Sequence, residues 1–172
     1  PKGVMLAQRQ TLQIMWDAAH IWTIDHADRV LIIAPLSHVT GINAGLLAGL
    51  MSGATLVLLD TFHPRKALAL IEAHGITCMA GPPAMFKQLL VENAQGSALD
   101  SLRKVSILGA PVPAALIDEI RAETSIEVIF TGYGMTECSS IATTRAFDPA
   151  DVVMSTVGYP MPGLEVMVAG EN

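Results

Sequence analysis

The chain has 172 residues, and its 10 Lys and Arg against 16 Asp and Glu give a formal net charge of −6 at pH 7. Hydrophobic residues make up 51% of it, which excludes a disordered chain and is enough to build the core of one domain. The acidic balance argues against a nucleic-acid partner, because binding to phosphates requires clustered Lys and Arg. Cys78 and Cys138 lie far apart, so neither a disulfide framework nor a zinc site is predicted, and the reducing cytoplasm is the expected location.

In chain order, the predicted elements are a helix at 9–24, a strand at 30–33, a helix at 42–51, a strand at 55–59, a helix at 64–74, a strand at 77–80, a helix at 84–93, a strand at 105–108, a helix at 113–123 and a strand at 127–130. Pro64 and Pro113 are typical of a first helical turn, and Gly53 and Gly75 of a helix end. The strands are nearly continuous runs of Val, Ile and Leu, which predicts an α/β fold with a mainly parallel sheet flanked by helices. Residues 1–150 are assigned to this central α/β part and residues 151–172 to the start of a β-rich segment.

Residues 41–59 form a hydrophobic stretch that is almost long enough to span a bilayer. It contains several glycines together with Asn43, Ser52 and Thr55, and its periodicity changes midway. We therefore predict a helix followed by a buried strand there, and no transmembrane segment. No signal peptide is predicted either, because the beginning PKGV does not have the pattern of one. Such a beginning is expected of a piece of a longer protein.

The loops that follow the predicted strands contain the candidate site. Ligands of parallel sheets bind beyond the carboxyl ends of the strands, and here those ends lead into residues 34–38, 81–83, 109–111 and 131–137, which are rich in Gly, Pro and hydroxyl groups. Function is predicted to lie at this edge of the sheet.

The segment from Thr131 to Glu137 is the most informative of these loops. Gly132 and Gly134 flank Tyr133, so that the flat ring is offered with the backbone close behind it. The hydroxyl of Thr136 can donate to a phosphate oxygen, and the carboxylate of Glu137 can hold Mg²⁺. The alternative is a glycine-rich turn with a packed Tyr and a solvated Glu.

Two further residues, Lys2 and His38, have weaker signals. Lys2 can contact a phosphate as a point charge, although an exposed terminal Lys is the commoner case. His38 either borders a pocket or caps the helix that follows it. Asp25 and Asp28 are interpreted as solvated charges near a helix end. The absence of GxSxG, GxxxxGK[ST] and GxGxxG motifs argues against a serine hydrolase, a P-loop kinase and a dinucleotide dehydrogenase.

Together these motifs resemble the adenylate-forming (AMP-binding) superfamily, most closely its fatty-acid acyl-CoA synthetases. The chain begins with the PKG that ends the family's phosphate loop. The family's PxxHxxG matches residues 35–41, its YG[LMF]TE matches residues 133–137, and its SxVGxPxPGxE matches residues 155–165. The resemblance covers essentially all of the chain, in the family's order and spacing, and implies part of the large N-terminal domain.

The resemblance implies a two-step reaction with a small-molecule carboxylic acid, ATP and coenzyme A. The carboxylate attacks the α-phosphate of ATP to give an acyl-adenylate and pyrophosphate, and a thiol then displaces AMP. It implies catalytic roles for Lys2, Thr136 and Glu137, with Glu137 as the Mg²⁺ ligand and Lys2 in the phosphate loop. It implies nucleotide contacts from Gly109, Ala110, Pro111, Tyr133, Gly134 and Thr136, and an acyl pocket formed by His38, Ile107, Leu108, Gly132 and Met135.

Apolar candidates in the acyl pocket favour a hydrophobic or fatty acid, and Gly132 is expected to leave room in that pocket. Ile107 and Leu108 stand where relatives often have Ser or Thr and then Gly, so the acyl chain length stays open. An aryl-CoA ligase, a carrier-loading adenylation domain and a non-catalytic nucleotide-binding fragment are alternatives. The family's first phosphate-loop residues, ribose-binding Asp and C-terminal domain lie outside this chain, so we expect it to be inactive alone; a homo-oligomer is left open.

Overall fold

A computed structural model describes residues 3–94 and 96–170, and the predicted phosphate contact Lys2 lies outside the described residues. The described strands form one sheet in the order β2-β1-β3-β4-β5-β6-β7. They are β1 (Arg29–Ile32), β2 (Thr55–Leu58), β3 (Cys78–Gly81), β4 (Lys104–Ile107), β5 (Val128–Met135), β6 (Ser139–Thr143) and β7 (Tyr159–Pro160). The first five strands pair in parallel, and β6 and β7 are added antiparallel. The predicted mainly parallel α/β sheet is confirmed.

Helices cover both faces of this sheet. They are α1 (Gln8–Ile21), a π-helix (Thr40–Leu47) that continues as α2 (Ala48–Met51), α3 (Pro64–His74), α4 (Pro83–Glu92), α5 (Ala114–Glu123) and α6 (Ala150–Ser155). Successive strand residues point to opposite faces, and the core is divided accordingly. Val30, Cys78 and Phe130 pack with α1 and the π-helix, whereas neighbours such as Met79 and Ile129 pack with α3, α4 and α5.

The hydrophobic stretch 41–59 folds into a helix and then a strand, as the sequence predicts. The prediction that this strand is buried is wrong, because β2 is an edge strand of the sheet and its Thr55 and Leu58 are exposed. The first part of the stretch is wound as a π-helix, and Gly53, with a φ of 71°, ends the helix that follows. No helix in residues 3–94 and 96–170 is both long and apolar enough to cross a bilayer. The stretch is accounted for by packing on one face of the sheet.

The extent of β5 differs from the prediction. A strand was expected to end at residue 130 and a turn to follow, but β5 continues to Met135. The reason is that the chain leaves β4 after Thr131 and pairs at once with β6, from Gly132 opposite Thr143. The segment with the most informative motif is therefore mostly strand, and the turn is confined to residues 136–138.

Residues beyond the predicted boundary at 150 remain part of the same sheet. β7 pairs with β6, and Met161 is 1% exposed among the side chains that cover Phe130. Gly158, with a φ of 78°, lies so close to Thr143 that an added Cβ would stand 2.2 Å from its carbonyl carbon. The backbone of the third motif is thus packed directly against β6, while the domain boundary itself stays a prediction.

Asp28 is buried, which corrects its assignment as a solvated charge. It is 5% exposed and pairs with Lys104, whose Nζ lies 2.8 Å from its Oδ2. Thr77 donates from its hydroxyl to Oδ1 of Asp28 at 2.7 Å. These groups lie where β1, β3 and β4 begin, so they tie the strands together at the edge opposite to their carboxyl ends.

Candidate active site

The divergence of β5 from β4 creates the crevice that contains the predicted site residues. Thr131 is the last residue of β5 in register with β4, opposite Ile107, and Gly132 is the first in register with β6. The register with β6 then shifts between Tyr133 and Gly134. Such irregularities re-aim side chains and are common beside active sites. Tyr133 is consequently half exposed at the carboxyl edge of the sheet.

Buried threonines hold the diverging strand in place. Thr131 donates from its backbone N–H to the Thr144 hydroxyl at 3.0 Å, and from its own hydroxyl to the Val153 carbonyl at 3.1 Å. The Thr143 hydroxyl donates to the Thr131 carbonyl at 3.1 Å and accepts a hydrogen bond of the same length from Nε1 of Trp22. Because buried polar groups need partners, this network satisfies the groups that β5 exposes on leaving β4.

Two cavities flank residues 132–134 within the described part of the chain. The first cavity has a volume of about 310 Å³ and is bordered by His38, the π-helix, Leu108 and the β5–β6 turn. The second cavity, of about 740 Å³, is bordered by residues 109–112 on one side and residues 153–157 on the other. Both are bordered by Gly132, Tyr133 and Gly134. The Tyr133 segment is therefore a partition between two spaces.

The first cavity has an exposed mouth and a buried inner end. His38, Thr136 and Glu137 are exposed lining residues, whereas the inner lining includes the buried side chains of Met15 and Trp22. This inner end is mainly apolar, with one polar contact between Asn43 and Ser139. The cavity can thus enclose a hydrophobic body while its mouth offers a hydroxyl and a carboxylate.

The structure brings together most of the predicted site residues. Around the first cavity lie His38, Leu108, Gly109, Gly132, Tyr133, Gly134, Met135, Thr136 and Glu137. Around the second cavity lie Gly109, Ala110, Pro111, Gly132, Tyr133 and Gly134. The predicted nucleotide contacts apart from Thr136, which borders the first cavity, thus border the second cavity. The predicted acyl-pocket residues border the first cavity, with one exception.

Ile107 is that exception, because it borders neither cavity. It is fully buried in the core beneath α3, α4 and α5. Adjacent residues of a strand point to opposite faces, so Ile107 and Leu108 cannot both face one pocket, and Leu108 is the one that does. Strand alternation alone was a sufficient signal to separate these two residues.

The structure also gives a different physical reason for Gly132. A Cβ added there would lie 2.6 Å from the Ala142 carbonyl oxygen and 3.3 Å from the Thr143 Cα. A side chain at this position would therefore collide with the backbone of β6, whereas the expectation from the motif was that it would fill the pocket. Gly134 is constrained in the same way, at 2.3 Å from the Ser139 carbonyl oxygen.

We predict that Gly132→Ala lowers stability and activity together. The β6 backbone cannot move aside cheaply, and overpacking of this kind costs about 1–3 kcal/mol. The measurements are urea unfolding and adenylation activity of the full-length protein. Gly170→Ala is the matched control, because nothing lies within 4 Å of a Cβ added there. Equal stability of Gly132→Ala and the control would contradict the close approach of the two strands.

His38 contacts the start of the π-helix and also borders the first cavity. Its Nδ1 accepts a hydrogen bond from the Thr40 backbone N–H at 3.1 Å, at the start of the π-helix. With Nδ1 accepting, the ring proton of the neutral form is on Nε2. The same ring borders the mouth of the first cavity. The helix contact therefore orients the imidazole that faces the cavity.

The acidic group at the mouth is suited to Mg²⁺ in the presence of phosphates. Glu137 is exposed, and Thr136 beside it adds a hydroxyl oxygen. Across residues 3–94 and 96–170, no three His, Cys, Asp or Glu side chains are close enough together to hold a metal. Mg²⁺ in nucleotide sites commonly takes one or two carboxylates along with phosphates and water. Glu137 fits that pattern as a single protein carboxylate.

Sequence reasoning missed several cavity residues. Met15 and Trp22 come from a helix that was assigned no role, and Asn43 was noted only as a polar residue in an apolar stretch. That isolation is itself a signal, because a lone amide in a buried helix needs a partner. The 153–157 side of the second cavity overlaps the motif at residues 155–165, but that motif alone did not indicate a place in the site.

Comparison with known proteins agrees with this geometry. The sequence profile of a family described as AMP-binding enzyme matches residues 1–172. The chain belongs to the AMP-binding enzyme family. The resemblance stated from the motifs is thereby confirmed.

Relatives within the AMP-binding family are CoA ligases. The chain is 38% identical, over 99% of its length, to a Mycobacterium tuberculosis CoA ligase for a propanoyl group that carries a methyl-dioxo-octahydroindenyl ring system, of which it covers 34%. It is 34% identical, over 99% of its length, to the medium-chain fatty-acid–CoA ligase of Escherichia coli, of which it covers 30%. The chain thus spans about a third of the length of these curated relatives.

Solved structures of the AMP-binding family have the same fold. The o-succinylbenzoate CoA synthetase of Bacillus subtilis, in complex with ATP and magnesium ion, superposes with a TM-score of 0.83 at 29% identity, covering 99% of this chain and 35% of that one. The N-terminal domain of FACL13 from Mycobacterium tuberculosis gives a TM-score of 0.81 at 25% identity, covering 94% of this chain and 41% of that one. The expected relation to the N-terminal domain of adenylate-forming enzymes is confirmed.

Proposed function

We propose that the full-length protein containing this chain is an AMP-forming acyl-CoA synthetase. One observation carries the proposal: Tyr133 separates two cavities, and Thr136 and Glu137 lie at the mouth of the smaller one. A reaction that joins an acid to a nucleotide needs two adjoining binding sites, with polar groups where the two substrates meet. The CoA-ligase names of the relatives support the same activity.

In this proposal the carboxylic acid occupies the first cavity and the adenine of ATP occupies the second. The Tyr133 ring offers a stacking surface to the base, and residues 109–111 run along the other side of that space. We assign to the Thr136 hydroxyl, which lines the mouth of the first cavity, the role of a donor to the α-phosphate. The attacking carboxylate is already an anion, so no protein base is needed to activate it.

The charge that develops at phosphorus is met by oriented donors and by the cation that Glu137 would hold. Mg²⁺ bound there would neutralise charge on the phosphates. Glu137 would then act by fixing the cation and Thr136 by orienting the phosphate, while the buried side chains of Met15 and Trp22 would surround the acyl group. Coenzyme A is the proposed acceptor in the second step.

The proposed substrate is a hydrophobic acid, either fatty or cyclic. Support comes from the apolar lining contributed by Met15, Trp22, Val39, Ala44 and Leu108. The relatives' names include a medium-chain fatty acid and 4-coumarate, so they support hydrophobic acids as a class and leave the chemical type to experiment. A role in fatty-acid metabolism is proposed on the basis of this apolar lining.

A cytoplasmic location is also proposed. Cys78 and Cys138 are free thiols, as suits a reducing compartment. Burial, and secondarily the nearby Asp28 charge, raises the pKa of the Cys78 thiol to about 12. This cysteine is therefore a core side chain and takes no part in the thiol chemistry of the reaction.

The experiment that tests the function is carboxylate-dependent exchange between ATP and pyrophosphate by the full-length protein. Fatty, aromatic and amino acids are compared, followed by thioester formation with coenzyme A. We expect exchange with hydrophobic acids and none with amino acids, because none of the described residues that border the first cavity is a buried carboxylate able to hold an ammonium group. An absence of exchange with every acid tested would overturn the proposal.

A further inference from the structure

The inner end of the first cavity contains a buried polar pair, Asn43 and Ser139. Asn43 is 6% exposed and Ser139 is 7% exposed, and both border the cavity. Nδ2 of Asn43 donates to the Ser139 hydroxyl oxygen at 3.0 Å. Asn43 comes from the π-helix, and Ser139 comes from the first residue of β6. An apolar acid pocket would not require this pair.

The pair retains unused hydrogen-bonding capacity. A primary amide has two N–H groups and a carbonyl oxygen with two lone pairs, and the contact with Ser139 is the one side-chain hydrogen bond that Asn43 makes among the described residues. Nevertheless, no side-chain atom of Asn43 or Ser139 in the described chain is both unpartnered and fully enclosed. The remaining polar atoms are therefore reached from the cavity that both residues border.

The surroundings of the pair restrict what can satisfy it. Met15 and Trp22 are each 1% exposed and Ala44 is 6% exposed, and they supply no free polar group. The indole N–H of Trp22 is already donated to Thr143. A bound acid that displaces water from this end must therefore supply its own polar atom, or leave the amide without a partner.

We propose that the preferred acid carries an oxygen atom, as a ketone or hydroxyl, on its hydrophobic body, and that Asn43, held by Ser139, binds that oxygen. The inference rests on the proposed acyl-CoA synthetase function and deepens it. Sites built to hydrogen-bond a substrate oxygen reject the analogue that lacks it far more strongly than apolar pockets reject an extra methylene. Asn43 is thus a specificity-determining residue.

The test compares matched pairs of acids on the full-length protein. Octanoate is compared with a set of octanoates that carry one ketone at successive carbons, and cinnamate with 4-coumarate. The measured quantity is kcat/KM for pyrophosphate exchange. We expect at least one oxygenated acid to exceed its plain partner by about 10- to 100-fold, the range in which an unmet buried polar group discriminates.

Asn43→Leu is expected to abolish that preference. It removes the amide at similar volume, so kcat/KM for the oxygenated acid falls at least about tenfold, the factor that one lost hydrogen bond commonly carries, while kcat/KM for the plain acid changes by a clearly smaller factor. Ser139→Ala, which frees the amide without removing it, is expected to weaken the preference in part. Met15→Leu is the matched control, because it alters the apolar wall alone and should change both acids alike.

Three outcomes separate the inference from the function on which it rests. If the protein exchanges pyrophosphate with plain and oxygenated acids equally, the inference is wrong and the function stands. If Asn43→Leu lowers kcat/KM for both acids by the same factor, and circular dichroism shows that the variant is folded, the inference is also wrong. The pair would then serve only to connect the π-helix with β6. If no acid supports exchange, the proposed function itself is wrong, and the inference falls with it.

Discussion

Replacing Glu137 by Gln is expected to lower carboxylate-dependent pyrophosphate exchange by about 100- to 1000-fold, the range seen when one electrostatic stabiliser of a transition state is removed. Glu137 is exposed at the mouth of the first cavity, and no second carboxylate among the described residues borders that cavity. The amide of Gln keeps the shape of the side chain and removes the charge that Mg²⁺ requires. The effect should therefore fall mainly on kcat, with stability unchanged.

Two matched variants make this prediction specific. Glu123→Gln removes an exposed carboxylate at the end of α5, and we expect full activity from it. Glu137→Asp retains the charge on a shorter side chain, and raised Mg²⁺ concentration should restore part of its activity. Full exchange activity in Glu137→Gln would remove Glu137 from the metal site and leave the resemblance of its motif without the proposed chemistry.

The sequence predicts well the strands that are buried on both faces and the helix with clear signals at both of its ends. The runs at residues 30–33, 77–80 and 105–108 are found within one residue or so as β1, β3 and β4. Helix α3 begins at Pro64 and ends before Gly75, which has a φ of 56°. In these places local propensity and tertiary packing favour the same structure.

The extent of β5 could not be predicted locally, because its second half contains two glycines. Glycine is unfavourable in strands in general, and Gly132 and Gly134 therefore indicate a turn. Their actual role depends on β6, whose backbone approaches so closely that no Cβ can be accommodated. That constraint arises only after residues 139–143 are paired, and no pattern within residues 128–135 contains it.

His38 and residues 109–111 could be located beside the cavities from the sequence, because each follows the carboxyl end of a parallel strand. Sequence order alone could not show that residues 153–157 close one side of the second cavity or that Asn43 reaches Ser139, across 96 positions of the chain. Contacts of this kind depend on how the π-helix and β6 are juxtaposed by the sheet. The acid preference proposed above therefore comes from the structure, whereas the reaction class comes from the motifs.

Asp28 provides the second large expected effect, and it concerns stability. Its side chain is 7% exposed and that of Lys104 is 19% exposed, and the two are joined by a 2.8 Å contact. Breaking a buried pair by removing one partner typically costs about 3–5 kcal/mol. Because Lys104 retains some solvent and a hydrogen bond to the Thr23 carbonyl, we expect Asp28→Asn to cost about 2–4 kcal/mol at neutral pH.

Asp25→Asn is the matched control in the same turn. Asp25 is exposed, and its Oδ1 accepts from the Ala27 backbone N–H at 2.7 Å, a bond that Asn can also make. We expect less than about 0.5 kcal/mol from this change. Pyrophosphate exchange by folded Asp28→Asn should equal that of the unaltered protein, because the ion pair lies at the opposite edge of the sheet from the cavities.

The pH dependence of the Asp28 effect follows from the balance of forces on its carboxyl group. Burial raises its pKa, but hydrogen bonds from Lys104, the Asp25 backbone and Thr77 outweigh burial, and the net pKa lies below the ordinary value. A lowered pKa means that the stabilisation is complete above the unfolded-state pKa, about 4, and is lost as pH falls through the folded-state pKa. Urea unfolding should therefore show a constant gap between the unaltered protein and Asp28→Asn from about pH 7 to about pH 5, and a gap that closes below about pH 4. A gap that widened on acidification would mean that burial outweighs the hydrogen bonds, and Asp28 would then be a carboxyl group that folding holds in its protonated form.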